Sequence, residues 1–219
     1  MEFSFLHISD IHLGRTFSGL SAFSSDSRLY ECCKTALERC LNKVIDFAVS
    51  KQIDFILISG DTFDSDEHDF SSKLHLKSFL NTLDKSGVSV YLICGNHDPL
   101  NSYSRNTFNY DETSRIKIIG LNTPVCCSLP LYTKAGVQSG TLHALSFTDE
   151  KFLENPSKYF KRAETGFNAG LLHCSINENS ESPYAPCLLS ELKELNYNYF
   201  ALGHIHLPSS GNGSILYSG

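Results

Sequence analysis

Asp10-Ile11-His12, Gly60-Asp61, Gly95-Asn96-His97-Asp98, His173 and Gly203-His204-Ile205-His206 follow one another along a chain of 219 residues. Carboxylates, imidazoles and an amide carbonyl in these numbers suffice to hold two adjacent divalent metal ions. Such a pair needs one ligand that spans ions about 3.5–4 Å apart, which a carboxylate does well. Asp61 is the candidate for that role. One ion then takes Asp10, His12, Asp61 and His206; the other takes Asp61, Asn96, His173 and His204. Mixed imidazole, carboxylate and carbonyl ligation suits Mn, Fe, Zn or Co more than Ca. The chemistry this predicts is phosphate-ester hydrolysis. Water activated between the ions attacks phosphorus in line, and the metals offset charge building on the phosphoryl oxygens. His97 stands beside a ligand and is read as the catalytic group that donates a proton to the leaving oxygen or stabilises the transition state, with Asp98 to orient and charge its imidazole.

Any one fragment is weak; five in one order, each closing an apolar strand-like run, are hard to obtain by accident. For His173 alone, a capped core histidine at the end of residues 169–172 is the competing reading. Gly-x-Ser-x-Gly and Gly-x-x-x-x-Gly-Lys are absent, so triad hydrolysis and phosphate-loop ATPase chemistry lack support. His7 is read as a residue that packs or orients the site, Asp64 as a support for the loop after Asp61, and His68, His75 and His143 as surface residues. Arg15 is given no role. The loop with Tyr103, Arg105, Phe108 and Tyr110 interleaves a base with aromatics, a pattern that stacks on nucleotides in some proteins, although packing against the domain is the commoner meaning.

The segments lie far apart in sequence, so strands must bring them together. Residues 3–9 read as a strand. Ser25, Asp26 and Ser27 offer caps for a helix over about 28–50, in which Leu29, Cys33, Leu37, Leu41, Val44 and Ala48 recur at helical spacing. Residues 53–58 and 88–94 are nearly continuous apolar runs, as in strands buried on both faces. A helix carrying Leu76, Phe79, Leu80 and Leu83 lies between them and stops near Gly87. Residues 115–120, 124–127, 140–147, 168–173 and 197–202 read as strands, 151–162 and 188–195 as helices, and 177–186 as a polar loop. Strands alternating with helices imply a largely parallel sheet, and the strand-rich second half a second one. In open α/β sheets, ligands gather beyond the carboxyl ends of strands, where Asp10, Asp61, Asn96 and His204 fall. Asp10 and His12 would point the same way along an extended backbone, and the glycines at 60, 95 and 203 permit tight turns and close approach.

The length suits one sizeable domain with its own core. No apolar run approaches the ~20 residues that span a bilayer, and the first six residues lack a basic stretch, so neither a membrane span nor a secretory signal is expected. Eight cysteines include the adjacent pairs Cys32-Cys33 and Cys126-Cys127 but no Cys-x-x-Cys; they read as small buried hydrophobes in a reducing, cytoplasmic setting. The formal charge of −6 is not the basic balance of an autonomous nucleic-acid binder. Two divalent ions add four positive charges and bring it near −2, so charge neither demands nor excludes an anionic substrate.

Taken together, Asp-x-His, Gly-Asp, Gly-Asn-His-Asp, His and Gly-His-x-His resemble the motif series of the calcineurin-like metallophosphoesterase superfamily, over Phe5 to Gly219. The resemblance implies an α/β fold, a four-layer α/β/β/α sandwich of two mixed sheets flanked by helices, with the ligand roles given above and Mn as first choice of metal. A narrower similarity is to the DNA-repair nuclease branch that contains the SbcD-type exonuclease subunits. It is carried by His7-Ile8-Ser9-Asp10-Ile11-His12-Leu13-Gly14, by Gly60-Asp61-Thr62-Phe63-Asp64, by the run from Tyr199 to His206 and by Tyr217-Ser218-Gly219. It implies an exonuclease or endonuclease of the double-strand-break repair type, with DNA as substrate and a partner ATPase of the SbcC type; a homodimer is a further expected assembly. Branch members continue into a capping domain and an ATPase-docking segment, whereas this chain stops at Gly219, so one domain over residues 1–219 without the cap is expected. Competing functions are a cyclic-nucleotide phosphodiesterase or phosphoprotein phosphatase on the same site, and a scaffold that keeps the motif without catalysis.

Overall fold

The computed structural model describes residues 2–15, 32, 35–64, 70–163, 165–176, 182–210 and 213–219. In chain order, β1 (Phe5–Ile8) is followed by α1 (Ala36–Ser50), β2 (Phe55–Ser59), α2 (Phe70–Lys85), β3 (Ser89–Ile93) and β4 (Ile116–Ile118). Then come β5 (Cys126–Tyr132), β6 (Gln138–Leu145), β7 (Asn168–His173), the two-residue β8 (Ser175–Ile176) and β9 (Pro186–Cys187), α3 (Leu189–Glu194), β10 (Tyr199–Gly203) and β11 (Ile215–Tyr217). The first sheet has the order β1-β2-β3-β4 and is parallel at every described pairing. The second has the order β11-β10-β7-β6-β5 and is mixed. Its antiparallel pair, β5–β6, joins strands close enough in sequence for a short turn, which parallel neighbours cannot use.

Strand periodicity explains the layers. On β2 and β3 the odd positions Phe55, Leu57, Tyr91 and Ile93 pack with Leu142, Ala144, Ala169, Leu171 and Ala201 between the sheets. The alternate positions Ile56, Ile58, Val90 and Leu92 join Leu41 and Ala48 of α1 and Leu76, Phe79, Leu80 and Leu83 of α2. A strand buried on both faces has no polar alternation, which is why β2 reads as a continuous apolar run. The outer face of the second sheet offers Leu172, Phe200 and Leu202 to Leu192, Leu195 and Tyr197, so the layers run helix, sheet, sheet, and a thin helical cover. Each fully buried Leu, Ile or Phe contributes roughly 1.5–3 kcal/mol.

Some expectations change. The helix read over about 28–50 is seen from Ala36; its caps Ser25, Asp26 and Ser27, with Leu29 and Cys33, lie outside the described residues, as does His68. Residues 151–162 form a single 3₁₀ turn, Pro156–Tyr159, rather than a helix. The Phe152 N–H donates to Pro183 O and the Phe152 carbonyl accepts from Ala185 N–H, so its backbone groups are already engaged before a helix can start. Pro186, read as loop, opens a two-residue strand, where a missing N–H is tolerated. The cysteines divide: Cys94, Cys174 and Cys187 are buried, but Cys32, Cys40 and Cys126 are exposed, and all seven described cysteines are free thiols. No described helix is long and apolar enough to cross a membrane.

Candidate metal centre

Five of the parallel strands end at one edge of the sandwich, and the donors sit just beyond them. Asp10 and His12 follow β1, Asp61 follows β2, Asn96 and His97 follow β3, His173 ends β7, and His204 and His206 follow β10. The loops after β1 and β2 run side by side: Asp10 N–H donates to Gly60 O (3.1 Å), His12 N–H to Asp61 O (3.0 Å) and Leu13 N–H to Thr62 O (2.8 Å). Asp10, His12, Asp61 and His204 all have positive φ, at 52°, 49°, 49° and 98°. Asp10 and His12 therefore converge through left-handed backbone, not through the extended geometry read from their spacing. Such conformations cost of order 1–3 kcal/mol each and persist where surroundings over-determine them. Two glycines let the backbones meet: a Cβ at Gly95 would collide with Asp61 Oδ1, and one at Gly203 with Ser59 O.

The donors form two joined groups. In the first, His206 Nε2 lies 3.4 Å from Asp10 Oδ1 and 3.2 Å from His12 Nε2. In the second, Asn96 Oδ1 lies 2.9 Å from His173 Nε2 and 3.1 Å from His204 Nδ1. Asp61 Oδ2 lies between them, 3.9 Å from His12 Nε2 and 3.4 Å from His173 Nε2. Asp10 also ties the halves together, accepting the His204 N–H at 3.2 and 3.1 Å. All seven residues read as ligands meet here.

The imidazoles fit a cation. His173 Nδ1 lies 2.9 Å from Ser59 O, an obligate acceptor, so Nδ1 carries the proton and Nε2 of the neutral ring offers a lone pair to the site. His12 repeats the pattern, with Nδ1 3.0 Å from Asp64 Oδ1. A ligating histidine whose other nitrogen donates to a carbonyl or carboxylate is the arrangement that fixes tautomer and aim at metal sites. Without an ion, the charges lean on one another. Burial would lower His173, but Asp61 overrides it and raises the imidazole to about 9. Burial likewise opposes ionisation of Asp61, yet His173 and the His97 N–H hold its carboxyl well below the usual range. Burial lowers His12 against the opposing pull of Asp61.

The two residues read as catalytic separate. The His97 side chain is 40% exposed at the mouth of the site, with Nδ1 3.7 Å from Asp64 Oδ1. Asp98 is fully buried, and its hydrogen bonds run elsewhere than to His97. Its Oδ1 accepts Gly95 N–H (2.7 Å) and Asp61 N–H (3.0 Å). Its Oδ2 accepts Thr62 N–H (2.7 Å), Phe63 N–H (3.3 Å) and the Tyr103 hydroxyl (2.7 Å). Burial, then the charge of Asp61, pushes its carboxyl up to about 7. Asp98 thus pins the β2 and β3 loops together, and the carboxylate beside His97 is Asp64. Asp98→Ala is expected to cost at least about 3 kcal/mol, because each buried donor left unpaired costs roughly 1–3 kcal/mol; thermal unfolding measures it, and an unchanged melting temperature contradicts the pinning role.

Asp64, read only as a support for the loop after Asp61, also contacts His12 and His97, and Gly60-Asp61-Thr62-Phe63-Asp64 held that signal. His7 lies 2.7 Å from Ser59 Oγ and 3.1 Å from the Tyr199 hydroxyl, linking the sheets, and burial lowers it to about 4. Tyr103 and Phe108 are buried and the Tyr110 hydroxyl donates to Asn81, so the aromatic loop is packed rather than free to stack on a base. His75 pairs with Glu38 across α1 and α2. The ring of Tyr184 lies 4.8 Å from that of His204.

Comparisons with known proteins agree with this geometry. A family model described as calcineurin-like phosphoesterase matches residues 3–208. The chain is 28% identical to an uncharacterized metallophosphoesterase, YhaO, of Bacillus subtilis, over 100% of this chain and 53% of that protein. It is 26% identical to the DNA double-strand break repair protein Mre11 of Methanocaldococcus jannaschii, over 98% of this chain and 55% of that one. It is 24% identical to the SbcD component of the SbcCD nuclease of Staphylococcus saprophyticus, over 98% of this chain and 59% of that one. The chain thus spans little more than half the length of these relatives. One solved crystal structure superposes with a TM-score of 0.51 at 12% identity, over 82% of this chain and 84% of that one, a likeness of fold alone.

Proposed function

Because this chain belongs to the calcineurin-like phosphoesterase family, we propose that it is a metal-dependent phosphodiester hydrolase acting on linear DNA. The observation that carries the reading is Asp61, whose Oδ2 stands 3.9 Å from His12 Nε2 and 3.4 Å from His173 Nε2, the position of a carboxylate shared by two cations. Asp10, His12, Asp61 and His206 would hold one ion, and Asp61, Asn96, His173 and His204 the other. Mn is the first choice, with Fe, Zn or Co as alternatives. When bound, the ions supply Lewis acidity toward the phosphoryl oxygens and lower the pKa of water. The chain supplies the rest. His97, at the exposed mouth, turns Nδ1 toward Asp64 and leaves Nε2 to protonate the leaving oxygen. Asp64 Oδ1 orients both that ring and the ligand His12, so Asp64→Asn is expected to lower activity and metal affinity by roughly 10–100-fold, the usual cost of losing a carboxylate behind a ligand. Metal titration together with turnover checks this, and wild-type values in both contradict it.

The DNA reading rests on similarity to Mre11 and to the SbcD component of the SbcCD nuclease and on the Gly60-Asp61-Thr62-Phe63-Asp64 and Ala201-Leu202-Gly203-His204-Ile205-His206 contexts. It carries with it a partner ATPase of the SbcC type. The test compares nucleotide release from linear duplex DNA with turnover of cyclic nucleotides and of an aryl phosphodiester, each with Mn and with EDTA. Mn-dependent release from DNA supports the proposal. Turnover of cyclic nucleotides with inert DNA makes the chain a small-nucleotide phosphodiesterase. No bound metal and no hydrolysis of the aryl ester would make it a binding scaffold.

A further inference from the structure

A second array of reactive side chains lies on the outer face of the second sheet, independent of the metal centre. Cys127 and Leu129 of β5, and Leu142 and Ala144 of β6, face the first sheet, so by strand alternation Ser128 and His143 face outward. They are directly paired across β5 and β6. Ser128 Oγ lies 2.8 Å from His143 Nδ1, and His143 Nε2 lies 3.0 Å from Asn168 Oδ1 on β7. Asn168 is 3% exposed and is fixed at both ends. Its Nδ2 donates to Gly166 O at 3.0 Å and its N–H to Asn198 Oδ1 at 2.7 Å.

These contacts decide the tautomer. Because Asn168 Nδ2 is spent on a carbonyl, its Oδ1 is the atom that faces His143, and an amide oxygen only accepts. His143 Nε2 therefore carries the proton, and Nδ1 is bare. The ring cannot readily turn, since Tyr197 stacks on it at 4.5 Å and 25°, and the Tyr197 hydroxyl is held by Lys161 O at 2.7 Å. A locked lone pair thus points at the hydroxyl of an exposed serine. A nucleophile on a base, and the base on an orienting group, is the arrangement that activates serine. The orienting group here is neutral. It fixes the tautomer but supplies no charge to an imidazolium, so the activation is weaker than in a serine–histidine–aspartate array.

We propose that Ser128 is a base-activated nucleophile, a covalent modification site for acyl and phosphonyl electrophiles. With an activated ester, Ser128 Oγ bonds to the carbonyl carbon and its proton passes to His143 Nδ1. The bond to the leaving oxygen breaks, and the leaving alkoxide takes that proton, giving an acyl-serine and a free alcohol with no redox change.

The test treats the folded chain with a fluorophosphonate in EDTA, which removes any contribution from the metal centre, and locates the adduct by peptide mass spectrometry. Modification is expected at Ser128, faster than at other serines and faster than in the urea-unfolded chain. His143→Gln is expected to slow it by roughly 10²-fold, the low end for a lost general base. Ser128→Ala is expected to abolish it while Mn-dependent phosphodiester hydrolysis continues unchanged. Modification no faster than in the unfolded chain, centred on other serines, or indifferent to His143→Gln overturns the proposal.

Discussion

Asp61→Asn is expected to abolish hydrolysis and empty the metal centre with the fold intact. Asn keeps the shape of the side chain and an oxygen to accept the His97 N–H, now received by Asp61 Oδ1 at 2.9 Å. It removes the negative charge that faces His12 and His173 together. A neutral amide oxygen bridges two cations poorly, so both are weakened at once. Loss of a single electrostatic stabiliser costs roughly 10²–10³-fold in rate, and loss of a shared ligand at least that. Elemental analysis should show less than the full complement of metal. In the metal-free protein there is a second readout: without Asp61, burial dominates at His173, and its imidazole, now raised to about 9, falls in an NMR titration. Near-normal turnover with two ions bound would refute the bridging role.

His97→Ala is expected to behave in the opposite way, keeping the metal and losing the rate. The imidazole faces Asp64 at 3.7 Å and is 40% exposed, whereas His12 and His173, read as ligands, are buried with Nε2 toward Asp61. Losing a general acid costs roughly 10²–10⁴-fold. The loss should be largest for poor leaving groups, as in DNA, and smaller for an aryl phosphodiester whose leaving oxygen needs little protonation. Equal losses for both substrates contradict proton donation, and loss of metal from the variant means that His97 is a ligand.

The sheets were legible because the hydrophobic effect writes them plainly. Residues 53–58 and 88–94 have apolar side chains on both faces, and only a strand between two layers asks for that. Leu76, Phe79, Leu80 and Leu83 gave α2 its buried stripe, and all four are in the core. Once the strands were placed, the order of the motifs put the donors at one edge. Hydrogen bonds that depend on three-dimensional neighbours were not legible. Asp98 follows His97 in sequence, yet turns into the core to meet Gly95, Asp61, Thr62, Phe63 and Tyr103. The partner of His97 comes from 33 residues upstream, at Asp64. The helix expected over 151–162 failed for a similar reason, since Phe152 is claimed by Pro183 and Ala185 across the chain. His143, read as a surface residue, is held by an asparagine that lies 25 residues further along.

Asp10, His12, Asp61 and Asn96 ride on the first sheet, and His173, His204 and His206 on the second. Any cation they share is therefore a rivet through the seam of the sandwich. Its binding strengthens cohesion between the two slabs by RT ln(1 + [L]/Kd), about 2.7 kcal/mol at a hundredfold excess over Kd. Starvation for the ion would then shorten the lifetime of the polypeptide as well as silence it, and supply of a trace metal would set how much of the protein persists.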